Sequence, residues 1–252
     1  MNFHPAALVL DHVSRTFGGL TAVDRVSLTM APGERRALIG PNGAGKTTLF
    51  NLISGECRVS AGAITLFGSD VTALAPYQRA ARGIARTFQI TRLFANLTVV
   101  ENVLLACEAL DRRKFVMHRT LSSLTDLRER AERVLNDFGL WPLRSEPACQ
   151  LSYGDQRMLE VALSMAGRPR LLLLDEPMAG LSAGERASML QLLDHLDAGI
   201  GVLLIEHDMD VAFAFADTIT VLDRGRVLFE GDRDEVSANA SVQRIYLGTR
   251  GH

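Results

Sequence analysis

The sequence has few cysteines: three in 252 residues, with no pair in a C-x-x-C spacing. Disulfide frameworks and thiolate zinc clusters need more cysteines at closer spacing, so neither is expected here. Cys57, Cys107 and Cys149 are interpreted as reduced structural thiols. A chain of this length buries about 70–75% of its unfolded surface and needs no such cross-link for stability.

Long apolar runs are also missing. The longest, Val211 to Ala216, has six residues, whereas a membrane-spanning helix needs about 20. The first residues, Met1 to Leu10, place no basic segment ahead of their apolar positions, so no secretory signal is expected. We therefore expect a protein that stays in the cytosol and does not itself cross a membrane.

Neither sign of charge is in excess, since 27 Lys and Arg stand against 29 Asp and Glu, for a formal net charge of −2. This balance offers no electrostatic footprint for a polyanion, so nucleic acid is not an expected partner. Internal repeats, low-complexity tracts and Pro/Gly/Ser linkers are absent as well. One domain over residues 1–252 is the prediction.

The texture of the sequence changes along the chain. Residues 1–90 contain short β-rich runs between turn signals, and residues 91–165 show helical periodicity. In residues 166–252, the apolar runs Leu171 to Leu174 and Val202 to Ile205 alternate with helical stretches. Strands that are apolar throughout favour a parallel sheet covered on both faces. The prediction is an α/β core from 1–90 and 166–252, with a helical subdomain inserted at 91–165.

Residues Gly40 to Thr48 match the phosphate-loop pattern G-x-x-x-x-G-K-[ST] between a predicted strand and a predicted helix. In such loops backbone N–H groups and the helix N-terminus face phosphate oxygens. Lys46 is expected to reach the terminal phosphates and Thr47 to bind Mg²⁺. The residues expected to contact the nucleotide here are Asn42, Gly43, Gly45, Lys46, Thr47 and Thr48.

Acidic residues follow one buried strand and a histidine follows the next. Asp175 and Glu176 end the run of leucines, and His207 comes after Val202 to Ile205. Ligands bind at the carboxyl edge of open α/β sheets. Asp175 is therefore predicted to hold Mg²⁺, Glu176 to orient or deprotonate the attacking water, and His207 to contact the terminal phosphate.

The segment Ser152 to Asp155 has the spacing of a helix capping box, with Ser152 as the N-cap. This structural role is sufficient to explain the residues. The alternative is a second anion-binding helix end, where Gly154 leaves backbone N–H groups open to a phosphate. Local physics does not decide between these interpretations.

These motifs, in this order, resemble an ABC-type nucleotide-binding domain over essentially the whole chain. Leu151 to Gln156 stands where the family signature Leu-Ser-Gly-Gly-Gln is expected, although Tyr153 and Asp155 depart from it and Ser182 replaces a common aspartate. The resemblance implies a P-loop NTPase fold with an N-terminal antiparallel β-subdomain. It also implies that Phe17 stacks on adenine and that Gln89 links the Mg²⁺ site to the helical subdomain.

Within that family, Arg86 to Gln89 followed by Arg92 to Phe94 and Leu97 to Val103 is similar to the LivG type of branched-chain amino acid importer. The resemblance implies an ATPase at the cytoplasmic face of the inner membrane. Its partners would be permease subunits, a second cassette and, indirectly, a solute-binding protein. Ser152 and Gly154 of one cassette would close the phosphate-loop site of the other.

Three points stay open at this stage. A lipopolysaccharide-export ATPase shares the ending Tyr246 to Gly248, and a non-transport ABC ATPase is a further alternative, although no long coiled-coil insertion or second cassette is present. The transported solute and the choice between identical and sister cassettes are not encoded in recognisable motifs. The apolar residues beyond Gln89 are predicted to include the surface that docks a permease helix: Leu93, Phe94, Leu97 and Val100.

Overall fold

The computed structural model describes residues 5–87, 93–109 and 121–247. These ranges contain both strands and helices. The strands are β1 (Leu8–Phe17), β2 (Leu20–Met30), β3 (Arg35–Ile39), β4 (Ala61–Leu66), β5 (Ser69–Asp70), β6 (Ile84–Arg86), β7 (Leu171–Asp175), β8 (Gly201–Ile205), β9 (Thr218–Asp223) and β10 (Arg226–Gly231). The helices are α1 (Lys46–Ser54), α2 (Pro76–Ala80), α3 (Val99–Ala109), α4 (Leu121–Asp137), α5 (Tyr153–Met165), α6 (Ala183–Asp194), α7 (Met209–Phe215), α8 (Arg233–Ala238) and α9 (Ala240–Leu247).

The described chain divides into two compact units. The first contains the residues up to Ile84, the segment Arg170–Glu176 and the residues from Asp197 onward. The second contains the described residues from Ala85 to Pro169 and the segment Pro177–Leu196. Each unit therefore draws on separate stretches of the chain.

The core sheet has six strands in the order β10-β9-β3-β8-β7-β6. Strand β3 pairs in parallel with β8 and β9, and β7 pairs in parallel with β8. All five residues of β7 and of β8 are buried, as expected for central parallel strands covered on both faces. The sequence-based prediction of a parallel sheet is confirmed, and β9 and β10 form the antiparallel hairpin.

The second sheet is antiparallel, in the order β2-β1-β4-β5, which confirms the N-terminal β-subdomain. The inward positions of β1, β2 and β4 alternate with exposed ones. Its buried side chains pack in the same apolar cluster as Leu49, Phe50 and Leu52 of α1. The helix that follows the phosphate loop is therefore anchored in the core of the first unit.

A buried arginine holds the C-terminal end of α1. Arg79 is 1% exposed and donates to the carbonyl oxygens of Leu52 (2.6 Å) and Ile53 (2.9 Å). It also donates to Leu74 and Thr72 at 3.1 and 3.0 Å. The last carbonyl groups of a helix lack partners within the helix, and a cation at that end interacts favourably with the negative end of the helix dipole. Sequence reasoning did not identify this role.

The second unit is built from α3, α4, α5 and α6, and the first three pack on one another. Helix α5 begins after Ser152, whose hydroxyl accepts a hydrogen bond from the Asp155 N–H at 3.1 Å. The predicted N-cap is thus confirmed. Among the helices of the described ranges, none combines the length and the apolar character that crossing a bilayer requires.

Candidate active site

The phosphate loop joins β3 to α1 within the first unit. Gly45 has a φ of 100°, and a Cβ atom there would lie 2.4 Å from the carbonyl oxygen of Ala22. Only glycine accommodates this left-handed conformation together with so close a neighbour. Asn42, Gly43 and Thr47 are exposed at the loop surface. The loop therefore leaves its polar groups open to a ligand.

Lys46 folds back over the loop that precedes it. Its Nζ donates to the carbonyl oxygens of Gly40 at 2.6 Å and Pro41 at 3.1 Å. Burial lowers the pKa of the Lys46 ammonium group, while the charges of Glu176 and Asp175 act in the opposite direction. A cation held by two neutral carbonyls and partly desolvated is well placed to bind an anion.

The two predicted acidic residues, one at the end of β7 and one directly after it, differ in burial. Asp175 is 2% exposed, whereas the Glu176 side chain is 28% exposed. Glu176 has a φ of 49°, in the left-handed region that a residue with a side chain seldom adopts, and its N–H donates to Ile205 O at 3.0 Å. Strained backbone of this kind is concentrated at functional sites. Asp175 thus belongs to the buried strand, and Glu176 lies in the bend that follows it.

His207 lies at the same sheet edge. Parallel pairing sets Asp175 opposite Ile205, so the residues after the two strands are neighbours. The Nδ1 atom of His207 is 3.9 Å from Oε2 of Glu176 and 3.9 Å from Oε2 of the buried Glu206. His207 itself is 59% exposed. The first unit thus brings together the phosphate loop, the carboxylate pair and the histidine.

The residues at this sheet edge are compatible with a metal ion that is bound jointly by the protein and by a nucleotide. No cluster of three or more Asp, Glu, His or Cys side chains that could hold a metal occurs among residues 5–87, 93–109 and 121–247. A magnesium ion would therefore take most of its ligands from phosphate and water, as Mg²⁺ commonly does at nucleotide sites. Thr47 and Asp175 supply a hydroxyl and a carboxylate, both oxygen donors. Gln89, the third predicted metal residue, lies outside the described residues.

Phe17 ends β1 with its side chain 47% exposed. The guanidinium carbon of Arg15 lies 4.4 Å from the centre of its ring. This cation covers one face of the ring and is attracted by its electron-rich π system. The exposure is compatible with the predicted stacking on adenine, which stays a prediction.

The second unit carries Ser152 and Gly154. The Ser152 hydroxyl donates to Oδ2 of Asp155 at 2.7 Å. Gly154 is buried, and a Cβ built on it would lie 2.3 Å from Oε1 of Glu185. A carboxylate from the start of α6 therefore lies against Gly154, which the sequence did not indicate. The predicted phosphate contact of Ser152 and Gly154 stays a prediction.

Two contacts of this turn were missed by sequence reasoning. Tyr153 Oη donates to the carbonyl oxygen of Ala179 at 3.2 Å and accepts a hydrogen bond from Nε of Arg157 at 3.0 Å. Glu185 forms a capping box with Ser182 at the start of α6. The spacing Ser182-x-x-Glu185 could have identified that capping box. Nothing in the local sequence indicates that Glu185 also reaches Gly154.

Known proteins are similar to this chain in both sequence and fold. The ABC transporter family model matches residues 23–179. The high-affinity branched-chain amino acid transport ATP-binding protein LivG of Salmonella typhimurium is 39% identical over 251 residues, which cover 96% of this chain and 97% of that protein. The ADP conformation of MJ1267, an ATP-binding cassette of an ABC transporter, has a TM-score of 0.84 at 29% identity, covering 96% of this chain and 99% of that one.

A dimeric structure of the ATP-binding cassette MJ0796, in a post-hydrolysis state bound to ADP and Pi, is also similar. Its TM-score is 0.76 at 26% identity, with 89% of this chain and 98% of that chain covered. The likeness therefore extends over the strands and helices of both units, and includes a cassette captured as a pair.

Proposed function

The chain belongs to the ABC transporter family, and on that premise we propose that it is the ATP-hydrolysing subunit of an importer for branched-chain amino acids or related solutes. Members of this family hydrolyse ATP to power transport, and the chain is an ATPase of that kind. The observation that supports ATP hydrolysis is the arrangement at the sheet edge. There the charges of Glu176 and Asp175 act on the ammonium group of Lys46, and His207 lies beside Glu176.

Binding begins at the phosphate loop. The Lys46 ammonium group exchanges the carbonyl oxygens of Gly40 and Pro41 for the terminal phosphates, because charge-assisted hydrogen bonds are the stronger ones. The N–H groups at the start of α1 add their positive dipole to the same site. Phe17 offers its open ring face to the adenine base. Together these contacts hold ATP at the edge of the core sheet.

Hydrolysis uses the residues that follow β7 and β8. Thr47 and Asp175 would hold Mg²⁺, and the bound ion would neutralise charge on the phosphates. Glu176 orients the attacking water and accepts its proton. His207 contacts the terminal phosphate and responds to its presence. Gln89 is proposed to complete this group.

A second cassette completes the site. Ser152 and Gly154 of that cassette would contact the terminal phosphate held by this one, and the similar cassette captured as a dimer supports the pairing. Closure with ATP and opening after hydrolysis would supply the motion that drives transport. The pair can be two copies of this chain or this chain with a sister cassette.

The membrane partners are proposed to dock on the second unit. Phe94 is 60% exposed, yet its backbone is held by the buried Asn102, which accepts from the Phe94 N–H at 2.9 Å and donates to its carbonyl at 3.2 Å. A large apolar side chain presented on a fixed backbone suits a helix of a permease. The chain would thus lie peripherally at the cytoplasmic face of the membrane, coupled through the permease to a solute-binding protein.

The test is reconstitution of the chain in liposomes with candidate permease subunits of a branched-chain amino acid importer. Leucine and its binding protein should stimulate phosphate release in these liposomes, and Lys46→Ala should abolish both hydrolysis and uptake. If hydrolysis depends on Lys46 but no branched-chain amino acid stimulates it, the proposed solute class is rejected and the ATPase activity is retained. Full hydrolysis by Lys46→Ala would reject the site itself.

A further inference from the structure

The N-terminal turn of α5, Ser152 to Asp155, has a carboxylate of the same unit packed against it. Glu185, in the first turn of α6, places Oε1 at the site that a Cβ on Gly154 would occupy, 2.3 Å from such an atom. The backbone of Gly154 contributes to lowering the pKa of this carboxylate, after the larger effect of the hydrogen bonds from Ser182. The turn and Glu185 both belong to the second unit.

The two oxygens of Glu185 serve different groups. Oε2 accepts from the Ser182 N–H at 2.8 Å and from the Ser182 hydroxyl at 2.6 Å. These bonds close the capping box of α6 and leave Oε1 facing Gly154. One carboxylate therefore links the starts of two helices.

Tyr153 holds the same two segments together. Its hydroxyl donates to Ala179 O at 3.2 Å, and Arg157 donates to that hydroxyl at 3.0 Å while pairing with Glu160 at 2.9 Å. The turn is thereby fixed against the chain that leads into α6. Several hydrogen bonds therefore hold Gly154 and the segment that leads into α6 next to each other.

We propose that Glu185 is a built-in competitor for the phosphate that a second cassette presents to this turn, so that association of the cassettes requires its displacement. This inference rests on the function proposed above, since it assumes that Ser152 and Gly154 contact nucleotide across the pair. A phosphate carries more charge than the carboxylate and offers more acceptor oxygens. Glu185 thus acts as a positioning residue: it satisfies the amide without nucleotide and raises the ATP concentration needed for pairing.

The decisive variant is Glu185→Gln. Glutamine has one acceptor oxygen where the carboxylate uses two, so it cannot serve Ser182 and Gly154 in the same manner. It also lacks the charge that makes a hydrogen bond strong. The matched control is Glu101→Gln, because Glu101 caps α3 with almost the same geometry, accepting from the Thr98 N–H at 2.8 Å and its hydroxyl at 2.7 Å.

Both substitutions are introduced into the full chain carrying Glu176→Gln, which should bind Mg-ATP without hydrolysing it. Light scattering during a Mg-ATP titration measures association, and NMR of glycine-labelled protein measures hydrogen exchange at Gly154. Glu185→Gln should lower the half-maximal ATP concentration about fivefold to tenfold and speed Gly154 exchange by a similar factor. Glu101→Gln should change neither quantity.

The possible failures are distinct. Equal ATP dependence in Glu185→Gln and Glu101→Gln, with association intact, overturns the competition while leaving the paired cassette of the proposed function. Unchanged Gly154 exchange in Glu185→Gln overturns the competition whatever the association shows. If no variant associates, including the one with Glu185 and Glu101 intact, pairing between copies of this chain is rejected instead. Thermal melting of all variants identifies any loss of fold.

Discussion

Glu176 and His207 follow different strands, yet Oε2 of one lies 3.9 Å from Nδ1 of the other. Parallel pairing of Asp175 with Ile205 produces this proximity, because it makes the next residues of both strands neighbours. The distance exceeds that of a hydrogen bond, so no direct hydrogen bond joins the two side chains. Both remain available to a third group at the sheet edge, which is the arrangement that the hydrolysis step needs.

Replacing Glu176 with Gln should separate binding from chemistry. The amide keeps the size of the side chain but cannot take a proton from water, so hydrolysis should fall by about 10²–10⁴. Affinity for a fluorescent ATP analogue should stay at the level of the parent protein. Phosphate release at the parent rate would show that another group is the base.

Replacing His207 with Ala should slow hydrolysis without abolishing ATP affinity, because the imidazole acts on the terminal phosphate only. The control is His195→Ala, since His195 is exposed and its Nδ1 lies 2.6 Å from the carbonyl oxygen of Gln191 in the second unit. Phosphate release under saturating ATP measures the difference. Equal rates for the two variants would remove His207 from the mechanism.

Arg79→Met should destabilise the fold by about 3 kcal/mol or more, because several buried carbonyl groups lose their donor at once. The control is Arg82→Met, in which an exposed arginine loses a bond to the carbonyl of Gln78; its effect should stay within about 0.5 kcal/mol. Urea unfolding followed by circular dichroism measures both. A small effect at Arg79 would mean that water replaces the guanidinium at the end of α1.

Phe94→Glu should release the chain from membranes that contain its permease while sparing basal hydrolysis, because a charge in an apolar docking surface is costly to desolvate. Tyr77→Glu is the control: Tyr77 is 75% exposed on α2 and belongs to the first unit rather than the second. Sedimentation of membranes followed by immunodetection reports the bound fraction. Retention of Phe94→Glu would place the permease contact elsewhere.

Tyr153→Phe should lower stability by about 1 kcal/mol, since Ala179 O loses its donor and Arg157 loses an acceptor. In a protein of this size that corresponds to a melting point about 2–4 °C lower. Tyr77→Phe should leave the melting point unchanged, because that side chain is exposed. A silent Tyr153→Phe would indicate that the ring alone fixes the turn.

Much of the fold and the site was predictable from local pattern. Continuous apolar runs indicated the buried parallel strands β7 and β8, and the spacing from Gly40 to Thr48 indicated the phosphate loop. The order of the motifs then indicated the family. These features are local, because alternation, glycine placement and capping depend on residues only a few positions apart. Asp175, Glu176 and His207 were found for the same reason: each follows a strand that was itself recognisable.

Tertiary structure alone decided which distant groups meet. The approach of Glu185 to Gly154, the bond from Tyr153 to Ala179, and the carbonyls gathered around Arg79 join residues separated by about 5 to 31 positions of chain. Such contacts depend on how complete elements pack, and that packing is a cooperative property of the whole core rather than of any short segment. The residues of the nucleotide site could therefore be identified from the sequence. The position of the Glu185 carboxylate against Gly154 was apparent only in the folded structure.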